Sequence, residues 1–199
     1  MEPKANITTS DYILWSLSRC LALTPKSMAN PVFGLVLSDE SVAETIFLDS
    51  SLEFAPGLLE CLQSNSPPTI AWFKSLPINV GKYWAVYCLS LEKPGHEPEI
   101  YIGSGTDKSD GVRGRFRNYD NGRLLPRFVE DALEEGYSIV HKGILCSAPI
   151  PSAQLRFRLR VLFLALECTF AWALWAMDHS ELTSLPLSYS TIFILGKFC

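Results

Sequence analysis

Five residues of this chain have types and spacings suited to handling a phosphate. Tyr87 stands in Ala85-Val86-Tyr87 and Tyr101 in Tyr101-Ile102-Gly103, with a short polar gap between them. Arg115 and Tyr119 follow in Gly111-Val112-Arg113-Gly114-Arg115-Phe116-Arg117-Asn118-Tyr119, four apart and therefore on one face of a helix. Glu167 lies in the apolar run from Val161 to Met177. Phosphodiester chemistry needs an activated water, a cation against the phosphate oxygens and groups that fix the phosphate in position. Phenols, a guanidinium and a carboxylate are parts of the right kind, and they occur in a usable order.

Glu167 is the most informative of the five. Its neighbours at helical spacing are Phe163, Leu164, Phe170 and Ala171, and a carboxylate on such a face is costly unless it is paired or bound to a cation. Metal ligation accounts for it; so does a buried ion pair with Arg160. The other parts have bland readings too. Tyrosines on a hairpin serve as cross-strand packing, and Arg113, Arg115 and Arg117 as a solvated helix face. The joint order is what favours chemistry.

The elements that must carry these residues can be read from pattern. Tyr83 to Leu91 is rich in aromatic and β-branched residues, Glu99 to Gly103 forms a second short strand, and Glu92 to Pro98 is the turn-rich loop between them. A helix begins around residues 113–117, and a second spans Leu124 to Glu135 and stops at Gly136. Ser138 to Cys146 reads as a third strand, and Ser152 can cap a long helix that reaches Met177. The fold expected is α/β: a small antiparallel three-stranded sheet flanked by helices, over residues 82–178.

Residues 1–80 read as a mainly helical N-terminal extension of unknown role. Ser10-Asp11 can cap a helix through Ile13, Leu14, Leu17 and Leu21. Phe33 to Leu37 reads as a short strand, while Ser41 to Leu48 and Leu58 to Leu62 are apolar enough to pack but too short to classify. Residues 179–199 form a tail, Ser/Thr/Leu/Pro-rich and then apolar to Cys199.

Composition sets outer bounds. With 199 residues, 48% of them hydrophobic and 19% charged, the chain can bury one good core. The net charge of −4 argues against a general nucleic-acid coat protein. Most basic residues nevertheless fall in the central stretch from Lys108 to Arg160, a local electrostatic footprint. The six cysteines include no C-x-x-C pair, which disfavours zinc, and no secretory signal precedes them. An intracellular protein is expected, in nucleus or cytoplasm. The apolar run 161–177 falls short of the roughly 20 residues a bilayer needs and holds a central glutamate, so a core helix is expected rather than a membrane span.

The order of these parts resembles the GIY-YIG nuclease family. In that family two tyrosine-bearing strands precede a helix with an arginine and, four positions on, a tyrosine or histidine; a later helix supplies a metal-binding glutamate. The resemblance covers about residues 82–178 and leaves the N-terminal third unmatched. It implies that Tyr87 helps activate the attacking water, as a base or through the metal's shell, and that Tyr101 hydrogen-bonds the phosphate or that water. Arg115 would hold the scissile phosphate, Tyr119 would fill the auxiliary place, and Glu167 would ligate Mg²⁺ or Mn²⁺. Ala85 replaces the first glycine of the motif, Ser104 stands where repair-type members often carry lysine, and no asparagine follows Glu167. Arg113 competes for the essential arginine, but only Arg115 has the tyrosine four residues later.

The function implied is a metal-dependent endonuclease acting on DNA, branched or damaged. The alternative is a catalytically inactive nucleic-acid or protein-binding module with the same fold, favoured by the acidic charge and the missing asparagine. Residues 1–80 could serve a protein partner. A membrane-associated protein using 161–177 and 187–199 as anchors is the third possibility.

Overall fold

The structure is a computed structural model, and it describes residues 7–23, 31–37, 40–78 and 81–176. The chain runs α1 (Thr9–Leu23), α2 (Pro31–Val36), α3 (Glu40–Asp49), β1 (Glu53–Phe54), α4 (Leu58–Leu62) and α5 (Ile70–Ser75). It continues with β2 (Tyr83–Glu92), β3 (Glu99–Gly105), α6 (Val112–Asp120), α7 (Arg127–Glu134), β4 (Ser138–Pro149) and α8 (Arg156–Ala173). The tail assigned to residues 179–199 lies outside the described residues.

The sheet is antiparallel and has four strands, not three, in the order β1-β4-β2-β3. The additional strand is the pair Glu53–Phe54, which adds to β4 opposite Ser147 and Cys146. Two residues carry no readable alternation, so this strand had no signature in the sequence. Phe33 to Leu37 is a further correction: it belongs to helix α2 and its exit, not to a strand. A short apolar run has no period that separates the two, and Phe33, Val36 and Leu37 are buried at helical spacing.

Three helix boundaries also differ from expectation. The α1 cap is Thr8 rather than Ser10: its Oγ1 accepts the Asp11 N–H at 3.1 Å, and the Asp11 carboxylate accepts from the Thr8 N–H at 3.1 Å and hydroxyl at 2.7 Å. This reciprocal arrangement is a capping box. Helix α7 starts three residues after Leu124, because Leu124 has φ 50° and Pro126 precedes the first turn. Helix α8 starts at Arg156; Ser152 instead closes a turn through its carbonyl and the Leu155 N–H. Its C-terminal end at Ala173 is followed by Trp175 at φ 58°.

Strand β2 is the centre of the core, buried from Trp84 through Leu91. Its period of two sends Trp84, Val86 and Cys88 to one face and Ala85, Tyr87, Leu89 and Leu91 to the other. The first face packs on α8 through Leu162, Phe163, Leu166 and Phe170, in one cluster with Ile13, Leu17, Phe33, Ile46 and Phe47 of the N-terminal helices. The second face is covered by Val112, Phe116 and Tyr119 of α6 and Val129 and Ala132 of α7. A bulge sets Tyr87 opposite Ile144 while Val86 stays opposite Cys146, leaving Leu145 as the extra residue. Among the described residues no helix is long and apolar enough to cross a membrane. Cys61, Cys88 and Cys146 are free thiols; burial pushes Cys88 and Cys146 up to about 12, which leaves them unreactive.

Candidate functional site

The hairpin places two tyrosines on the same face. Tyr87 pairs with Gly103 and Leu89 with Tyr101, so the tyrosines are diagonal neighbours in the ladder. Gly103 between them is a close-approach position: a Cβ there would lie 2.7 Å from the Tyr87 hydroxyl and 2.8 Å from Tyr101 Cε1. Gly105 lets α6 down onto the strand in the same way, since its Cβ would meet the Val112 Cα at 2.5 Å. Gly111 caps α6 at φ 56°, with no room for a Cβ against the Tyr83 carbonyl. These glycines fix where α6 sits over β3.

Helix α6 then delivers Arg115 and Tyr119. The Tyr119 hydroxyl lies 2.7 Å from that of Tyr87 and accepts from Arg115 Nη2 at 3.2 Å. Arg115 also stacks on the Tyr119 ring, 5.2 Å from its centroid, and donates from Nη1 to the Leu124 carbonyl at 2.9 Å. The guanidinium is therefore pinned at three points. Burial opposes its charge, but the hydrogen bonds to Tyr87 and Tyr119 outweigh that and hold it above its ordinary range. Arg113, the competing arginine, is exposed.

Glu167 approaches from the opposite layer. Strand β3 pairs only with β2 among the described residues, so it is a free edge around which α8 and α6 can meet. Desolvation raises the Glu167 pKa, while hydrogen bonds from the Ser104 hydroxyl and main chain and the charge of Arg115 oppose the rise. Tyr101 feels the same group: burial raises its pKa first, then Tyr119 and Glu167, with Arg115 opposing. Tyr87 is fully buried and held well above its ordinary value by burial and by Tyr119 and Tyr101. Both phenols are neutral across the usual working range.

The five residues singled out from the sequence thus lie in one neighbourhood: Tyr87, Tyr119 and Arg115 are joined by hydrogen bonds, and Tyr101 and Tyr119 feel the charge of Glu167. Arg160, the alternative partner for Glu167, instead donates to the Thr106 carbonyl at 3.0 Å and covers the Trp84 ring. Glu167 has no ion pair at contact distance among the described residues. The sequence reading missed the Leu124 carbonyl, which carries no side-chain signal, and treated Ser104 as a lost cation rather than as the partner of Glu167. Among the described residues no three His, Cys, Asp or Glu side chains cluster; Glu167 is the one carboxylate of the five residues. That donor set suits a hard divalent ion that keeps its waters, not zinc.

Comparison of the chain with family models, with curated proteins and with solved structures gives no match.

Proposed function

We propose that the chain is a GIY-YIG-type, metal-dependent endonuclease that hydrolyses DNA phosphodiester bonds. The observation that supports this most is the hydrogen-bonded group of Tyr87, Tyr119 and Arg115, with Tyr101 diagonal to Tyr87 and Glu167 of α8 close enough to act on Tyr101 and Tyr119. Packing alone does not call for a desolvated carboxylate and a triply held arginine beside three phenols.

Each residue has a role consistent with its environment. Arg115 binds the scissile phosphate and offsets the charge that develops on its oxygens; its rigidity means little reorganisation during reaction. Tyr119 holds the guanidinium by hydrogen bond and by stacking. Tyr101, partly exposed and neutral, donates to the phosphate or positions the attacking water. Tyr87 is buried and neutral, so it orients Tyr119 and Arg115 by hydrogen bonding rather than acting as a free general base. Glu167 would hold Mg²⁺ or Mn²⁺, and the ion when bound supplies Lewis acidity and a water of lowered pKa.

The test is cleavage of supercoiled plasmid and branched DNA with Mg²⁺ or Mn²⁺, comparing the native chain with Glu167→Ala. Metal-dependent nicking that the variant lacks is the expected result. A folded native chain that cuts none of these substrates would instead leave the fold as a binding module without catalysis.

A further inference from the structure

Two apolar side chains stand in solvent beside the site. Leu124 is 78% exposed and Phe128 42% exposed, and each is attached to a residue of the constellation. The Phe128 ring lies nearly parallel to that of Tyr101, at an interplanar angle of 20° and 6.2 Å between centroids. Leu124 carries φ 50°, a conformation that costs a non-glycine residue energy, and its carbonyl accepts from Arg115. Neither side chain belongs to either core cluster. The Leu124 side chain packs in neither core, and the Phe128 ring meets Tyr101 while remaining 42% exposed, which is the pattern of residues kept for a ligand.

The neighbouring charges indicate which ligand. Arg123 and Arg127 are exposed on either side of Leu124 in the chain, and Arg127 forms an i,i+4 ion pair with Asp131 at 3.6 Å. With Arg115 they bring three guanidinium groups into the segment that carries the aromatic face and the aliphatic tip, alongside the exposed Glu130 and Asp131 of α7. Cationic side chains beside an aromatic platform are the chemistry that binds an unstacked base next to its phosphate. An aliphatic tip beside it suits insertion into an opened base step.

We propose that Phe128 is a stacking platform and Leu124 a wedge for a nucleobase displaced from its helix beside the phosphate held at Arg115. This rests on the nuclease reading of the site and narrows it. The substrate class is DNA with unpaired nucleotides at the cut, such as a flap or bubble, because a base within continuous duplex cannot reach the platform. Stacking is indifferent to base identity, so the preference is for structure and not for sequence.

The experiment is equilibrium binding by fluorescence anisotropy in EDTA, using the full chain and a labelled flap, bubble and matched duplex. Phe128→Ala should weaken flap and bubble binding on the order of tenfold and leave duplex binding unchanged, while Phe128→Trp should restore it. Replacing the unpaired residue by an abasic site should cost the native chain the same factor and Phe128→Ala nothing further. Leu124→Gly keeps the left-handed backbone that presents its carbonyl to Arg115, and should also weaken flap binding. Equal losses on flap and duplex, no loss with Phe128→Ala, or no binding of any of the three DNAs by the native chain would overturn the proposal. Plasmid cleavage measured in parallel separates the two claims. Glu167-dependent cutting with Phe128 indifferent defeats the platform alone, and base-dependent binding without cutting defeats the nuclease reading alone.

Discussion

Gly103 faces Tyr87 across the β2–β3 ladder, and the Tyr87 hydroxyl fills the space that a side chain on Gly103 would occupy, 2.7 Å from its Cβ position. A glycine chosen for strand propensity would be a poor choice here. Its value is the room it leaves for two tyrosines.

Gly103→Ala should therefore displace both rings and destabilise the chain by about 1–3 kcal/mol, as overpacking of a tight core does. Gly114 is the control. It lies inside α6 with its nearest neighbours 3.7 Å from a Cβ, so Gly114→Ala should stabilise by about 0.5–1 kcal/mol. Urea unfolding of the two variants should give shifts of opposite sign.

Arg115→Lys keeps the charge and loses the fork that reaches both Leu124 and Tyr119. Cleavage should fall by roughly 10²–10³-fold with the fold intact, the scale of removing one preorganised donor. Arg113→Lys, on an exposed position, should leave single-turnover cleavage near native.

Glu167→Gln should trade activity for stability. The folded-state pKa of Glu167 is raised, mainly by desolvation, so the folded chain prefers the protonated form. Stability from this group is complete below the unfolded value of 4.5 and is lost as pH rises through the folded pKa. At neutral pH the glutamine variant should melt higher than the native chain, and the advantage should vanish below about pH 4.5. Mg²⁺ should raise the native melting temperature and leave the variant's unchanged, through binding to the folded state alone.

Tyr87→Phe should cost about 1 kcal/mol, the typical worth of one hydrogen bond, and should flatten the alkaline limb of stability. Burial raises the Tyr87 pKa above its usual 10.0. Below that value both folded and unfolded chains hold the proton; above it the unfolded chain ionises first and stability falls. Denaturant midpoints at about pH 9 and about pH 11 should differ less in Tyr87→Phe than in the native chain.

The constellation was legible because its signals are local. The i, i+4 relation of Arg115 and Tyr119 and the alternation around Tyr87 and Tyr101 follow from backbone geometry, and Glu167 is conspicuous on an apolar helix. What stayed hidden depends on contacts between distant segments. The pairing of Glu53–Phe54 with β4 joins residues some ninety positions apart, and the hydrogen bond to Leu124 uses a carbonyl, which every residue has. Phe33 to Leu37 belongs to a helix and its exit rather than a strand, and four apolar residues and a glycine fit either period. The α8 start moved from Ser152 to Arg156 because a serine near a helix is only sometimes its cap.

Helix α8 presents Glu167 at the β3 edge while Phe163, Leu166 and Phe170 share a core with Ile13, Leu17 and Phe47 of α1 and α3. The position of the carboxylate is therefore set in part by residues more than a hundred positions upstream. A substitution at Ile13 or Leu17 would act on the site without touching it, by altering the bed on which α8 lies. In heredity as in engineering, the N-terminal helices and the five clustered residues would have to change together.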